Sequence, residues 1–335
     1  MDIEQILDDA PKNQIIQKTL LVAHNKLSGY RRIACAISGG ADSDIVIDLM
    51  ERVRGDREVL YVWYNTGMEY QATKRHLDTL EEKYGVQILR RRAKVPAPAG
   101  CKRYGLPFLN KRISDYIARL QRHGFGWEDE SFDVLYARYP RCKVALRWWC
   151  NQWGDGSRFN ISSAPYLKEF LIDNPPWFPI SAKCCDEAKK DTAHGYDAEY
   201  DIDLKVMGLR KAEGGTRSTA YKTCFTAHTN QGIAEYRPLY FWTDQDKREY
   251  EEHYNIRHSD CYERYGLRRT GCAGCPYGRD YMAELEALRI HEPQMYRAAW
   301  GVFGDSYRYT RMYHSYRAFA DDKGGKAEWM TSRTL

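Results

Sequence analysis

Apolar residues over the first ninety positions form short runs, separated by stretches in which apolar residues recur at helical spacing. Residues 33–37 and 59–64 predict buried strands, and residues 86–89 predict a shorter third strand. Residues 44–50 and 70–84, which lie between these predicted strands, predict helices. Strands that alternate with helices indicate an α/β fold with a parallel sheet and helices on its faces.

The rest of the chain divides by its pattern into further segments. Residues 1–28 predict an N-terminal helical segment that is interrupted near Pro11. Residues 94–180 begin with prolines and glycine and then predict a helical insert. A strand is expected within residues 203–209, and a helix is expected to begin at Thr243 or Asp244. We therefore expect one α/β domain built from 29–93 and 181–260, and a C-terminal loop and helical region over 261–335.

Composition limits the class of protein. The chain has 335 residues, of which 43% are hydrophobic and 29% are charged, so a globular fold with a substantial core is expected. Since there is no apolar stretch of about 18 residues, we expect no membrane span. The N-terminus lacks a basic segment followed by an apolar one, so a cytoplasmic location is expected.

A glycine turn joins the first predicted strand to the first helix of the α/β domain. It reads Ser38-Gly39-Gly40-Ala41-Asp42-Ser43. Glycines let the backbone approach an anion closely, and the free N–H groups of a helix start point towards it. The turn is shorter than the Walker loop and no lysine follows it. It predicts a phosphate site, and an ordinary capped strand-to-helix turn is the alternative.

A second turn follows the next predicted strand, at Asn65-Thr66-Gly67. Ligands of open parallel sheets bind at the carboxyl ends of the strands. Because both turns lie at such ends, we expect Asn65, Thr66 and Gly67 to share one nucleotide site with residues 38–43.

Four of the ten cysteines form two pairs, Cys184-Cys185 and Cys272-x-x-Cys275. Cysteines in a reducing compartment favour metal ligation or catalysis over disulfides. Adjacent cysteines suit a cluster in which each thiolate holds a different iron better than they suit one tetrahedral zinc. An iron–sulfur cluster is the preferred interpretation, with zinc and packed thiols as alternatives.

Together these motifs resemble the PP-loop ATP pyrophosphatases and, more closely, the phosphoadenylylsulfate reductase superfamily. The two cysteine pairs resemble the ligands of the [4Fe–4S] cluster in assimilatory adenylylsulfate reductases. On that match, Lys189 is the lysine near the cluster and the substrate. Asn65-Thr66-Gly67 resembles the family's Asp-Thr-Gly, and residues 208–217 resemble its Gly-x-Arg loop. The resemblance implies an adenine nucleotide α-hydrolase-like, Rossmann-like fold with a C-terminal cluster-binding region.

The chain departs from the reductases in one respect. Those enzymes carry a nucleophilic cysteine near the C-terminus, whereas no cysteine follows Cys275 in this sequence. We therefore expect nucleotide-dependent sulfur chemistry, in which an acceptor is adenylated and then receives sulfur. The acceptor would be a nucleic acid (tRNA or DNA) or a small molecule. A sulfonucleotide reductase and a nucleotide- or redox-sensing regulatory protein are the alternatives.

The ligand is expected to be ATP or an adenylylated sulfur nucleotide. In this hypothesis residues 38–43 bind the pyrophosphate of ATP, and Asp42 helps to hold Mg²⁺. Lys189, Arg210 and Arg217 would neutralise phosphate charge in the transition state. Cys224, just after the basic loop, is the preferred candidate for a reactive thiol. Sulfide on an open iron of the cluster, or a thiolate such as Cys224 or Cys261, would supply the sulfur. Cys142 and Cys150 have no assigned role. The net charge of +5 permits a nucleic acid, and a sulfur- or electron-donor protein is a further expected partner.

Overall fold

The computed structural model describes residues 3–214, 220–227, 232–278 and 280–322. The strands are β1 (Ile33–Ala36), β2 (Val59–Asn65), β3 (Ile88–Arg92), β4 (Leu204–Met207), β5 (Phe225–Thr226) and β6 (Ala234–Tyr236). The helices are α1 (Ile3–Asp8), α2 (Gln14–Leu27), α3 (Ala41–Val53), α4 (Gln71–Tyr84), α5 (Ala97–Tyr104), α6 (Lys111–Arg122), α7 (Phe132–Arg138), α8 (Lys143–Trp149), α9 (Leu167–Asp173), α10 (Lys183–Cys185), α11 (Asp191–Glu199), α12 (Asp244–His253), α13 (Asp260–Glu263), α14 (Tyr281–His291) and α15 (Pro293–Asp322). A π-helical turn, Asp186–Lys190, follows α10.

The strands form one six-stranded sheet in the order β3-β2-β1-β4-β6-β5. β1 lies between β2 and β4 and is parallel to both, with Ile33 opposite Val59 and Leu204. β3 and β6 extend the parallel sheet on either side, and β5 is an antiparallel edge strand. The predicted α/β fold with a parallel sheet is confirmed.

Two compact units make up the chain. The first comprises Met1–Pro96, Glu187–Ala273 and Ile290–Glu292. The second comprises Ala97–Asp186, Gly274–Arg289 and Pro293–Leu335. The N-terminal helical segment thus belongs to the unit that holds the sheet, and the helical insert shares a unit with most of the C-terminal helices.

Helices α2 and α3 and the sheet bury the main core of the first unit. Ile45, Ile47 and Leu49 on α3 are fully buried, as are Leu20 on α2 and Leu204 on β4. This burial explains why residues 44–50 read as continuously apolar apart from Asp44 and Asp48. Each fully buried aliphatic side chain of this kind stabilises a fold by about 1.5–3 kcal/mol.

Capping residues set two helix starts, and the one at Thr243 lies where the sequence predicts it. The Asn13 side chain accepts hydrogen bonds from Ile15 N and Ile16 N at the start of α2. The Thr243 hydroxyl accepts from Asp246 N, and the Asp246 carboxylate accepts from Thr243 N, which makes a capping box at α12.

The third strand begins two residues later than its apolar run predicts. Gly85 ends α4 in the left-handed conformation with a φ of 63°. The N–H groups of Gly85 and Val86 both bond back to Glu81 O, so Val86 still belongs to the helix cap. The strand therefore starts at Ile88.

The second unit is helical and has its own aromatic core. Tyr309 on α15 packs against Phe108 and Phe170 with ring centroids about 5 Å apart, and Trp148 and Trp149 of α8 are buried. Gly105 lies against the backbone of Pro179, where an added Cβ would come within 2.3 Å of Pro179 O. Its φ of 112° also favours glycine.

Within the parts of the chain that the structure describes, none of the helices is both long and apolar enough to cross a membrane.

Candidate functional site

The glycine turn between β1 and α3 approaches helix α4 closely. Gly39 has a φ of +68°, and an added Cβ would lie 2.5 Å from Thr73 Cγ2 on α4. Gly40 is the N-cap of α3, and its own added Cβ would lie 3.2 Å from Thr270 Oγ1. Gly39 therefore requires glycine for its backbone conformation and its contact, whereas a side chain at Gly40 would need its neighbouring side chains to shift by a few tenths of an ångström.

The two serines of the turn have different positions. Ser43 is 3% exposed, and its hydroxyl accepts from Gly40 N at 3.2 Å and donates to Gly40 O at 2.8 Å. Ser38 is exposed and lines a cavity. Both serines bond within the turn, because the Ser38 hydroxyl donates to Ser43 Oγ and accepts from Gly40 N at 3.2 Å each, and Ser38 also faces the cavity.

This cavity lies at the carboxyl ends of β1 and β2 and has a volume of about 130 Å³. It lies wholly within the first unit. Its lining comes from β1 and the turn, from β2, from α4 and its preceding loop, and from two later segments: Ala36, Ile37, Ser38, Trp63, Tyr64, Glu69, Thr73, Lys189, Thr270 and Gly271. The structure thus brings the predicted phosphate turn and the predicted lysine to one cavity.

The turn after β2 is held by its own side chains. Asn65 Oδ1 accepts from Gly67 N at 2.8 Å, and the buried Thr66 hydroxyl donates to Glu69 Oε1 at 2.6 Å. Thr66 N also donates to Glu69 Oε1, and Thr66 Oγ1 lies 3.3 Å from Cys272 Sγ. These residues shape the strand end and fix the Glu69 carboxylate at the cavity.

Asp42, the predicted magnesium ligand, is bound by two cations. Its carboxylate accepts from Arg210 Nε and Lys247 Nζ, each at 2.9 Å. Arg210, itself only 7% exposed, also bonds Asp244 at 2.8 Å. Burial would raise the pKa of Asp42, but the charges of Lys247 and Arg210, together with hydrogen bonds to Glu213 and Lys247, outweigh burial and lower that pKa. Two predicted site residues are therefore bonded to each other.

A second charge network lies behind the turn, around the fully buried Asp44. Its carboxylate lies 3.0 Å from His76 Nε2 and 2.8 Å from His258 Nδ1. His258 Nε2 is 2.8 Å from Glu251 Oε1. Burial lowers the pKa of His258, but its bonds to Asp44 and Glu251 dominate and raise it to about 9. His258 is therefore positively charged at neutral pH and forms an ion pair with Asp44 in the first turn of α3.

The remaining predicted catalytic residues lie elsewhere or are not described. Cys224 packs, half-buried, against the core of the first unit and does not line the cavity. Arg217 lies outside the described residues. Cys261 is fully buried, and burial raises its pKa to about 11, which disfavours its thiolate.

The predicted metal-binding cysteines are divided between the units. Cys272 belongs to the first unit, whereas Cys184, Cys185 and Cys275 belong to the second. The pKa of Cys184 is raised, and the largest cause is a hydrogen bond with the Cys101 thiol. A hydrogen bond with Cys185 acts in the opposite direction, whereas burial and the charge of Cys275 raise the pKa further. Among the described residues, no three His, Cys, Asp or Glu side chains are gathered so as to hold a single metal ion.

The second unit contains a larger cavity of about 480 Å³. Its cationic lining residues are Arg103, Arg122 and Lys183, and Trp177, which is 53% exposed, forms part of the wall. Among the described residues that line it, none is acidic. The cavity can therefore accept an anionic group beside an aromatic ring.

Some of these residues were not found by sequence reasoning. Thr270 and Gly271 precede the cysteine pair directly, and Glu69 lies next to the Asn65–Gly67 turn, so proximity to a motif was an available signal. Thr73 faces the turn from the first turn of α4, and Cys101 lies more than eighty residues from Cys184 in the sequence. Neither had a local signal.

Comparison with known proteins gives one family. Residues 32–113 match the model of the phosphoadenosine phosphosulfate reductase domain. The superfamily resemblance predicted from the sequence is thereby confirmed. The matched segment contains the glycine turn, β2 and the Asn65–Gly67 turn, and it ends before the paired cysteines.

Solved structures with a similar chain course include the phosphoadenylyl-sulfate reductase of Candida auris, at 10% identity and a TM-score of 0.43, covering 81% of this chain and 93% of that one. The U34-tRNA thiolase NcsA of Methanococcus maripaludis with its [4Fe–4S] cluster has 12% identity and a TM-score of 0.37, with coverage of 91% and 79%. The NH₃-dependent NAD synthetase of Campylobacter jejuni has 11% identity and a TM-score of 0.37, with coverage of 92% and 96%. A search of the curated proteins found no match.

Proposed function

We propose that the cavity at the carboxyl ends of β1 and β2 binds the phosphates of an adenine nucleotide, and that the protein catalyses nucleotide-dependent sulfur chemistry. The observation that carries the proposal is the meeting of Ser38, the first residue of the glycine turn, with Lys189 at one cavity, and α3 begins directly after that turn. Hydroxyl, N–H and ammonium donors together suit phosphate oxygens. The family match over residues 32–113 supports a sulfonucleotide or ATP as the ligand.

The volume of about 130 Å³ suits the phosphate end of the nucleotide rather than the whole molecule, because pockets that enclose drug-sized ligands measure roughly 300–1,000 Å³. The carboxylate that lines the cavity is Glu69, and Asp42 is already bonded to Arg210 and Lys247. We therefore assign to Glu69 the contact with a nucleotide-bound Mg²⁺ that the sequence had suggested for Asp42.

The preferred reaction has two steps. An acceptor oxygen attacks the α-phosphorus of ATP, and the bond to the pyrophosphate oxygen breaks. A sulfide donor then displaces AMP from the adenylated acceptor. Lys189 and the N–H groups of the turn stabilise the charge that develops on the leaving pyrophosphate in the first step.

An iron–sulfur cluster on the paired cysteines is part of the proposal. The donor set fits, because Cys184, Cys185 and Cys275 are soft thiol ligands within one unit and Cys184 interacts with each of the other two. A four-iron cluster needs sulfur ligands further apart than a single ion does, since each thiolate binds a different iron. When bound, the cluster supplies thiophilic iron that can hold sulfide. Cys272 as the fourth ligand stays a prediction of the sequence pattern.

The acceptor class is proposed to be anionic and aromatic, as a tRNA or DNA strand is. The support is the cavity of the second unit, where Arg103, Arg122 and Lys183 accompany the exposed Trp177. Stacking of a base on an aromatic side chain is worth about 1–3 kcal/mol.

The test is pyrophosphate release from ATP by the full chain under anaerobic conditions, with and without tRNA or DNA. We expect release that depends on one of these acceptors. The second candidate, sulfonucleotide reduction, is favoured by the name of the matching family model and predicts sulfite release from adenylylsulfate with thioredoxin instead. Tight ATP binding with neither product would contradict both activities and favour a nucleotide-sensing protein.

Lys189→Ala tests the nucleotide site itself. Loss of a charged donor to phosphate costs about 1.5–3 kcal/mol, so we expect ATP affinity to fall about 10- to 100-fold in calorimetric titration. Lys190→Ala is the matched control, because Lys190 is the exposed neighbour that does not line the cavity. Equal effects of the two substitutions would argue against the assignment.

A further inference from the structure

A fifth cysteine lies with the paired cysteines in the second unit. Cys101 on α5 is 3% exposed, and its thiol is within hydrogen-bonding reach of the Cys184 thiol, which is 5% exposed. Helices α5 and α10 pack against each other. A buried thiol beside another buried thiol is a soft donor already removed from water.

Backbone pairing fixes the approach of these two helices. Leu106, just after α5, forms a β-bridge with Ile180, just before α10. Leu106 N donates to Pro179 O at 2.8 Å, and Ser181 N donates to Leu106 O at 2.9 Å. The positions of Cys101 and Cys184 are therefore set by main-chain bonds on both segments.

The segment that carries Cys275 is held to the same place. Tyr277 Oη donates to Ser181 O at 3.2 Å, and Tyr307 Oη donates to Gly274 O. An added Cβ at Gly274 would lie 2.9 Å from Ala299 Cβ, so this turn is tightly packed against α15. Electrostatic interactions join Cys275 to Cys184, and join Tyr277 to Cys184, Cys185 and Cys275.

We propose that Cys101, Cys184, Cys185 and Cys275 are the four thiolate ligands of the iron–sulfur cluster, with Cys101 in the place that the sequence pattern gives to Cys272. The four belong to one unit, whereas Cys272 belongs to the other and lies 3.3 Å from the Thr66 hydroxyl. Each thiol loses its proton to solvent when it binds iron, and no electron transfer is required. This inference rests on the proposed function only in requiring that a cluster is bound.

The experiment compares the full chain with three serine variants, all isolated without oxygen: Cys101→Ser, Cys272→Ser and Cys142→Ser. Iron, zinc and acid-labile sulfide are counted, and visible absorption and electron paramagnetic resonance spectra are recorded. Cys142 is the matched control, because it is a buried cysteine of the same unit that bonds Arg119 O. Circular dichroism checks that each variant is folded.

We expect about four iron and four sulfide per chain in the wild type, in Cys272→Ser and in Cys142→Ser. We expect Cys101→Ser to lose at least about one iron per chain and to give an altered spectrum. Retention of the full cluster by Cys101→Ser, or its loss from Cys272→Ser, would overturn the ligand assignment. The Cys272→Ser result decides the question even if Cys101→Ser does not fold. A wild type without iron would overturn the cluster itself, which is a separate outcome.

Discussion

At the scale of single residues, the charges around the glycine turn determine what each side chain can do. Lys189 lines the cavity, whereas Arg210 and Lys247 are bonded to Asp42. Sequence reasoning found Lys189, Asp42 and Arg210 but not Lys247. It also missed the pairing of Asp42 with Arg210, because the two residues are 168 positions apart. Local patterns carry information about neighbours in sequence, and ion pairs across a fold leave no local trace.

The pH dependence of stability tests the network beneath the turn. The pKa of His258 rises from its ordinary 6.5 to about 9, and the groups that face it are Asp44, Glu251 and Tyr262. The native state thus binds the proton more tightly than the unfolded state does. The resulting stabilisation is complete below about pH 6.5 and is lost as the pH rises through about 9.

His258→Gln removes this titration and keeps hydrogen-bonding groups at the position. We expect the wild type's advantage in free energy of unfolding over His258→Gln to be largest near pH 6 and to shrink as the pH approaches 10. Urea unfolding of both proteins across this range measures it. An advantage that stays constant or grows over the same range would contradict the assignment.

At the scale of elements, the strands and helices of the first unit follow from the sequence because their hydrophobic period is local. β1, β2, α4 and α12 lie where their patterns predict. β3 does not, since the cap at Gly85 holds Val86 in the helix end. The cavity was only partly predictable, because Thr73 reaches the turn through the packing of α4 against it.

Gly39→Ala tests this packing, with Gly85→Ala as its matched control. Both glycines are left-handed, with φ of 68° and 63°, so each alanine meets backbone strain of about 1–2 kcal/mol. Gly39→Ala additionally places its Cβ 2.5 Å from Thr73 Cγ2, whereas nothing lies within 4 Å at Gly85. We therefore expect Gly39→Ala to lower the free energy of unfolding by at least about 1 kcal/mol more than Gly85→Ala does.

A second substitution identifies the cause. Thr73→Ser removes the Cγ2 methyl group that the new Cβ would meet, so Gly39→Ala with Thr73→Ser should recover part of the additional loss in denaturant unfolding. Equal destabilisation by Gly39→Ala and Gly85→Ala would show that the turn does not depend on its contact with α4.

At the scale of the whole molecule, the described part of each unit contains a cavity with cationic lining residues. The cavity of the first unit joins a hydroxyl, a lysine and a glutamate to the glycine turn, and that of the second joins three cations to an exposed tryptophan. The family match over residues 32–113 includes the glycine turn, and it supports the cavity of the first unit as the nucleotide site. The central claim is therefore that ATP binds to the first unit at this cavity.

Hydrogen exchange of the full chain with and without saturating ATP, read by mass spectrometry, tests that claim most directly. Bound ligand slows the local openings that allow exchange. We predict slower exchange in peptides covering residues 36–43, 63–73 and 187–190, and little change in peptides covering 103–104 and 176–183. Protection confined to the latter peptides, or no protection at saturating ATP, would contradict the account.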